Sequence, residues 1–186
     1  MHRRPLLQGL AMATLGLLGR PRQAFAMGGT LPSLETVAPA FDLEGVVAGS
    51  TIQRNLTDFA GRWLVLYFYP KDFTGGCTLE ARGFQRDLTA FHALDAEVVG
   101  ISADDPEAHA SFCDSEGLAF PLLSDPGGTV SQRYGSWIAP FSQRHTFLID
   151  PAGILRERWF AVRPTLHSQE VLATLQTLQE SSQDEG

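Results

Sequence analysis

Cysteine is scarce in this chain: Cys77 and Cys113 are the only two among 186 residues. They form no C-x-x-C couple, because the position that would need the first cysteine holds Thr74, and this argues against a dithiol-type disulfide carrier. Neither stands at metal-ligand spacing from any of the five histidines (His2, His92, His109, His145 and His167), so no metal is expected. A glycine-rich phosphate loop and a G-x-S-x-G elbow are both missing, and no bound cofactor is expected. Internal repeats, low-complexity tracts and interdomain linkers are missing too. The chain reads as one domain of ordinary size, with 44% hydrophobic residues to build a core.

Positive charge is also short, at 14 basic against 21 acidic residues. Four of the basic ones (Arg3, Arg4, Arg20 and Arg22) fall in the first 26 residues, which hold no acidic side chain. Residues 1–26 read as an export signal. Arg3-Arg4 precede an apolar run from Leu10 to Leu18, too short to span a bilayer permanently, and Ala24-Phe25-Ala26 is an A-x-A cleavage signature. The arginine pair in HRRPLLQ resembles a twin-arginine signal; Pro5 and Gln8 depart from it, and an ordinary secretory signal is the alternative. Removing the signal's four arginines leaves ten basic residues against all 21 acidic ones, a net of −11. Such a surface repels nucleic acid and anionic membranes, so neither is an expected partner. The expected location is the periplasm, with the thylakoid lumen as the other exported compartment left open.

The stretch WLVLYFYPKDFTGGCTLEARGF, Trp63 to Phe84, organises the rest. Its seven unbroken apolar residues, Trp63 to Tyr69, predict a strand buried on both faces. Pro70 ends the strand, and a polar loop follows from Lys71 to Gly76. Cys77, Ala81, Phe84, Leu88 and Phe91 then recur at helical spacing on one face, with Cys77 at the N-terminal end. Free backbone N–H groups and the positive end of the helix dipole converge there and favour a thiolate. Thr74 offers a hydroxyl to the sulfur or to a substrate, and Pro70, lacking an N–H, can wall off one side of a pocket.

Those residues carry a resemblance. Pro70, Thr74 and Cys77 match the Pro-x-x-x-Thr-x-x-Cys signature of peroxiredoxins, and YFYPKDFTGGCTLEARGF resembles their Q-type branch, the bacterioferritin comigratory proteins. The likeness runs from Ala38 to Leu178. It implies an α/β, thioredoxin-like fold: a central mixed β-sheet flanked by helices, with an N-terminal β-hairpin extension. Residues 27–37 are expected as a flexible lead-in and 38–186 as the single domain.

The remaining pattern agrees with such a fold. A second buried strand is predicted over Ala96 to Ser102, then a helix opened by Asp104-Asp105-Pro106-Glu107 and stopped by Gly117. A short strand (Phe120 to Leu123), a short helix (Thr129 to Tyr134) and a hairpin turning at Asp150-Pro151-Ala152-Gly153 follow. A last amphipathic helix begins at His167, with Val171, Leu172, Leu175 and Leu178 inward.

The resemblance also assigns roles. In peroxiredoxins an arginine just before the strand corresponding to Thr146–Asp150 reaches the peroxidatic sulfur, which gives that role to Arg144 in RHTFLID. A guanidinium there stabilises thiolate over thiol and can hold peroxide oxygens in its fork. Glu80, one turn after Cys77, could hold that arginine in place. Many Q-type members carry a resolving cysteine on the Cys77 helix, where this chain has Arg82; others carry it on the next helix, where Cys113 stands. The implied activity is reduction of hydrogen peroxide and organic hydroperoxides. Cys77 would become a sulfenic acid, Cys113 would condense with it, and a thioredoxin-like dithiol would reduce the disulfide. Two alternatives stand beside this reading. One is a one-cysteine peroxidase with Cys113 inert; the other is a non-catalytic exported domain stapled by a Cys77–Cys113 disulfide. Monomer and weak homodimer are both left open.

Overall fold

The computed structural model describes residues 25–26, 28–160 and 162–184. Arg3, Arg4 and the apolar run of the expected export signal lie outside them. In chain order the elements begin with two short strands, β1 (Phe25–Ala26) and β2 (Gly29–Thr30), which pair antiparallel. A hairpin follows, β3 (Asp42–Val47) and β4 (Ser50–Asn55), then β5 (Trp63–Phe68), helix α1 (Gly75–Ala93), β6 (Ala96–Ser102) and α2 (Pro106–Glu116). The second half holds β7 (Leu122–Ser124), α3 (Thr129–Arg133), the two-residue strands β8 (Trp137–Ile138) and β9 (Phe141–Ser142), β10 (His145–Ile149), β11 (Leu155–Phe160) and α4 (His167–Asp184).

Seven strands form one mixed sheet in the order β11-β10-β5-β6-β7-β3-β4. The β5–β6 and β6–β7 pairs are parallel, and the flanking pairs antiparallel. This is the thioredoxin-like arrangement expected above, with the β3–β4 hairpin added beside β7. All six residues of β5 are buried. Trp63, Val65 and Tyr67 face a core shared with α1, α2 and α4, while Leu64, Leu66 and Phe68 face a second core with Phe41, Phe59 and Tyr134. A strand covered on both faces has no reason to alternate with polar residues, which is why the run is unbroken.

Helix α1 buries the predicted stripe, Cys77, Ala81, Phe84, Leu88 and Phe91. Burial of a side chain as large as Phe84 or Phe91 contributes about 1.5–3 kcal/mol. Helix α2 starts as its sequence predicts: Asp105 accepts from the Ala108 N–H at 2.8 Å, Pro106 occupies the first turn, and Gly117 ends the helix at a φ of 65°.

The segment expected as a flexible lead-in is held to the body instead at several points. Trp137 N–H donates to Gly28 O at 2.9 Å, Glu35 N–H to Leu155 O at 2.8 Å, and Leu155 N–H to Thr36 O at 2.9 Å. Arg158 donates to Pro32 O, and Arg156 pairs with Glu35. These bonds are made mostly to the edge strand β11, so they cannot be read from the composition of 27–37. Among the described residues no helix is long and apolar enough to cross a membrane.

Candidate active site

The site forms where the loop after β5 meets the start of β10. Phe68 pairs with His145 in the antiparallel β5–β10 ladder, so the residues just beyond, Tyr69-Pro70 and Arg144, emerge side by side at one sheet end. Pro70 is half-buried and closes the strand. Phe73 then takes a φ of 59°, a strained left-handed conformation for a bulky side chain. That turn sets Thr74 as the N-cap of α1 and Cys77 in its first turn.

Cys77 is only 1% exposed. Arg144 donates from Nη2 to Cys77 Sγ at 3.2 Å and from Nη1 to Glu80 Oε2. Burial opposes the guanidinium charge, but the negative charges of Glu80 and Cys77 outweigh it and raise Arg144 above its ordinary value. Glu80, named above as able to hold the arginine, does so from a buried position on the helix, 1% exposed. Burial pushes its carboxyl up to about 7, against the pull of Arg144, and Oε1 has no hydrogen-bond partner among the described residues. The carboxyl therefore changes charge near neutrality while anchoring the guanidinium.

Thr74 does not donate to the sulfur. Its hydroxyl donates to Lys71 O at 3.0 Å and shapes the loop, leaving the sulfur to Arg144. Behind Arg144 lies His167, whose imidazole burial and the nearby guanidinium hold down to about 4, with Nε2 2.7 Å from Thr146 Oγ1. A neutral ring there adds no charge to compete for Glu80. Gly83 is closely packed: a Cβ on it would lie 3.1 Å from Ser168 Oγ at the start of α4. A Cβ on Gly76 would likewise lie 3.1 Å from Arg144 Nη2.

Cys113 sits in α2, 2% exposed, in the same apolar core as Cys77, and both are free thiols. Burial, helped by the charges of Asp72 and Asp114, pushes the Cys113 thiol up to about 12. The structure thus brings Cys77, Arg144 and Glu80 into contact and leaves Cys113 a free, protonated thiol on α2. Arg82, at the position of the alternative cysteine, pairs with Glu116 of α2 at 2.5 Å. Sequence reasoning missed a second buried group, Tyr69, Asp72 and His109. Its only trace is the spacing of His109, one helical turn before Cys113. Among the described residues no three His, Cys, Asp or Glu side chains are grouped to hold a metal.

Comparison with known proteins agrees with this geometry. The AhpC/TSA family model matches residues 34–158. A Peroxiredoxin Bcp from Xanthomonas campestris is 38% identical over 151 residues, covering 76% of this chain and 93% of that one. A Peroxiredoxin Bcp from Bacillus subtilis is 37% identical over 151 residues, covering 77% and 94%. The solved structure of Xanthomonas campestris Peroxiredoxin Q superposes with a TM-score of 0.70 at 36% identity, covering 77% of this chain and 96% of that one.

Proposed function

Because this chain belongs to the AhpC/TSA family and is a peroxiredoxin of the Bcp/Q kind, we propose that Cys77 is its peroxidatic cysteine and Cys113 its resolving one. The enzyme is a thiol-dependent peroxidase. The Cys77 thiolate attacks the terminal oxygen of a hydroperoxide, the O–O bond breaks, and water or an alcohol leaves after taking a proton. Cys77 becomes a sulfenic acid. The single observation that carries this reading is Arg144, held by buried Glu80 with Nη2 3.2 Å from Sγ at a helix N-terminus. Its fork can stabilise the negative charge that develops on the leaving oxygen. Hydrogen peroxide and organic hydroperoxides are the proposed substrates, the exposed Phe73 beside Thr74 offering apolar surface to an alkyl group.

Cys113 then condenses with the sulfenic acid, and a thioredoxin-like dithiol reduces the disulfide by exchange. Thiol titration tests this cycle. Reduced enzyme should show two free thiols, none after one equivalent of hydrogen peroxide, and two again after a dithiol without denaturant. A count of none from the start, reversed only after unfolding, would mean a structural staple.

The proposed address is the periplasm, reached by the twin-arginine route with cleavage after Ala26. What supports it is the sequence alone, Arg3-Arg4 with Ala24-Phe25-Ala26. Replacing Arg3 and Arg4 by lysine should leave uncleaved precursor in the cytoplasm, as judged by fractionation. Unimpaired export of that variant would assign the signal to the general secretory pathway.

A further inference from the structure

The segment bearing Cys77 and the helix bearing Cys113 are joined by contacts that the peroxide chemistry does not use. On α2, His109, Phe112, Cys113 and Glu116 share one stripe, spaced by three, one and three. Every neighbour of Cys113 on that stripe reaches the Cys77 segment. His109, fully buried, donates from Nδ1 to Asp72 Oδ2 at 2.8 Å, and Asp72 is itself 3% exposed. Phe112 meets Phe73 edge-on, ring centroids 5.1 Å apart, and Glu116 accepts from Arg82 at 2.5 Å. The charged contacts therefore flank Cys113 on both sides, and their partners flank Cys77 in sequence.

The Asp72–His109 end is the more deeply built. Tyr69 donates to Asp72 Oδ1 at 2.7 Å, Asp72 N–H donates to Asp104 Oδ2 at 2.9 Å, and Ser102 donates to the same oxygen at 2.7 Å. The far ring nitrogen of His109 lies 3.3 Å from Leu123 O, so both nitrogens face acceptors. We propose, on the reading of Cys113 as the resolving residue, that His109 is a positioning residue: through Asp72 it clasps the Cys113 helix to the Cys77 loop, and its release gates disulfide formation. While the clasp is closed, Asp72 stands close enough for its charge to help keep Cys113 a thiol. Opening it moves Asp72 away and lets water reach Cys113. The Cys113 sulfur then loses its proton and attacks Cys77 sulfenic sulfur; the S–O bond breaks and hydroxide leaves as water with that proton. No outside oxidant is needed, because the peroxide has already been spent on Cys77.

The left-handed Phe73 in the loop and Gly75-Gly76 at the start of α1 mark this junction as the part that gives way. A buried pair broken on one side weakens only the closed arrangement, since both groups are hydrated once it opens. The test is single turnover with one equivalent of hydrogen peroxide, quenched by acid and read by mass spectrometry of alkylated peptides. His109→Gln should form sulfenic acid at the wild-type rate within about twofold, close the Cys77–Cys113 disulfide about tenfold faster, and accumulate less sulfinic acid at high peroxide. The double variant Asp72→Asn with His109→Gln, which buries no lone charge, should do the same. A linked Cys77–Cys113 peptide formed no faster in either variant would overturn the clasp and leave Cys113 as the resolving residue. No linked peptide in wild type would overturn that underlying reading first. Hydrogen exchange of wild-type enzyme gives a check that needs no variant. Oxidation should remove protection from both 70–82 and 106–116, and unchanged protection at 106–116 would overturn the clasp.

Discussion

Arg144→Ala is expected to slow the reaction of Cys77 with hydroperoxide by about a hundredfold while the fold persists. The guanidinium is the one cation in contact with the sulfur among the described residues, at 3.2 Å, and it is placed where charge develops on the leaving oxygen. Removing one preorganised donor of that kind costs roughly 10²–10³ in rate. The variant also leaves Glu80 buried without the hydrogen-bond partner it has among the described residues. That carboxyl is already raised to about 7 with Arg144 present, so without it the group stays protonated at neutral pH. The loss should therefore appear mainly in rate, with Arg144→Lys recovering part of it because a point charge replaces the fork. Stopped-flow rates across pH would decide. A rate within about threefold of wild type, with the same pH profile, would make Arg144 structural.

Cys113→Ser should cost turnover by at least about tenfold with a dithiol reductant, yet leave the first oxidation intact. Serine cannot condense with a sulfenic acid, so Cys77 sulfenic acid should persist and be captured by a trapping reagent. At high peroxide it should go on to sulfinic acid, which a thiol does not reverse. The first step should be unaffected because Cys113 is held as a thiol, pushed up to about 12, while Arg144 donates to Cys77 and Glu80. Normal turnover of this variant would favour the one-cysteine reading.

Much of the protein was legible in its sequence. The unbroken run of β5, the five-residue stripe of α1 and the Asp105-Pro106 start of α2 all stand where periodicity and capping put them. Such signals act within a turn or two of chain, so the chain alone determines them. Cys77 at a helix start was legible for the same reason, whereas Arg144 was picked out by the resemblance to peroxiredoxins.

What only the tertiary structure decided involves residues distant in sequence. Glu80 looks like a solvent-facing helix residue until Arg144, 64 positions away, supplies the charge that lets it be buried. Gly83 carries no signal in the sequence, but in the fold a Cβ there would press on Ser168 Oγ at 3.1 Å. His109 shows no motif at all, and it acquires meaning only when Asp72, 37 residues earlier, is brought under α2. Residues 28–37 look mobile by composition, whereas β11 gives their backbone groups partners. In each case a polar or small residue is tolerated by a partner that no local pattern announces. Burial costs a polar group unless something across the fold satisfies it, and the sequence does not name that partner.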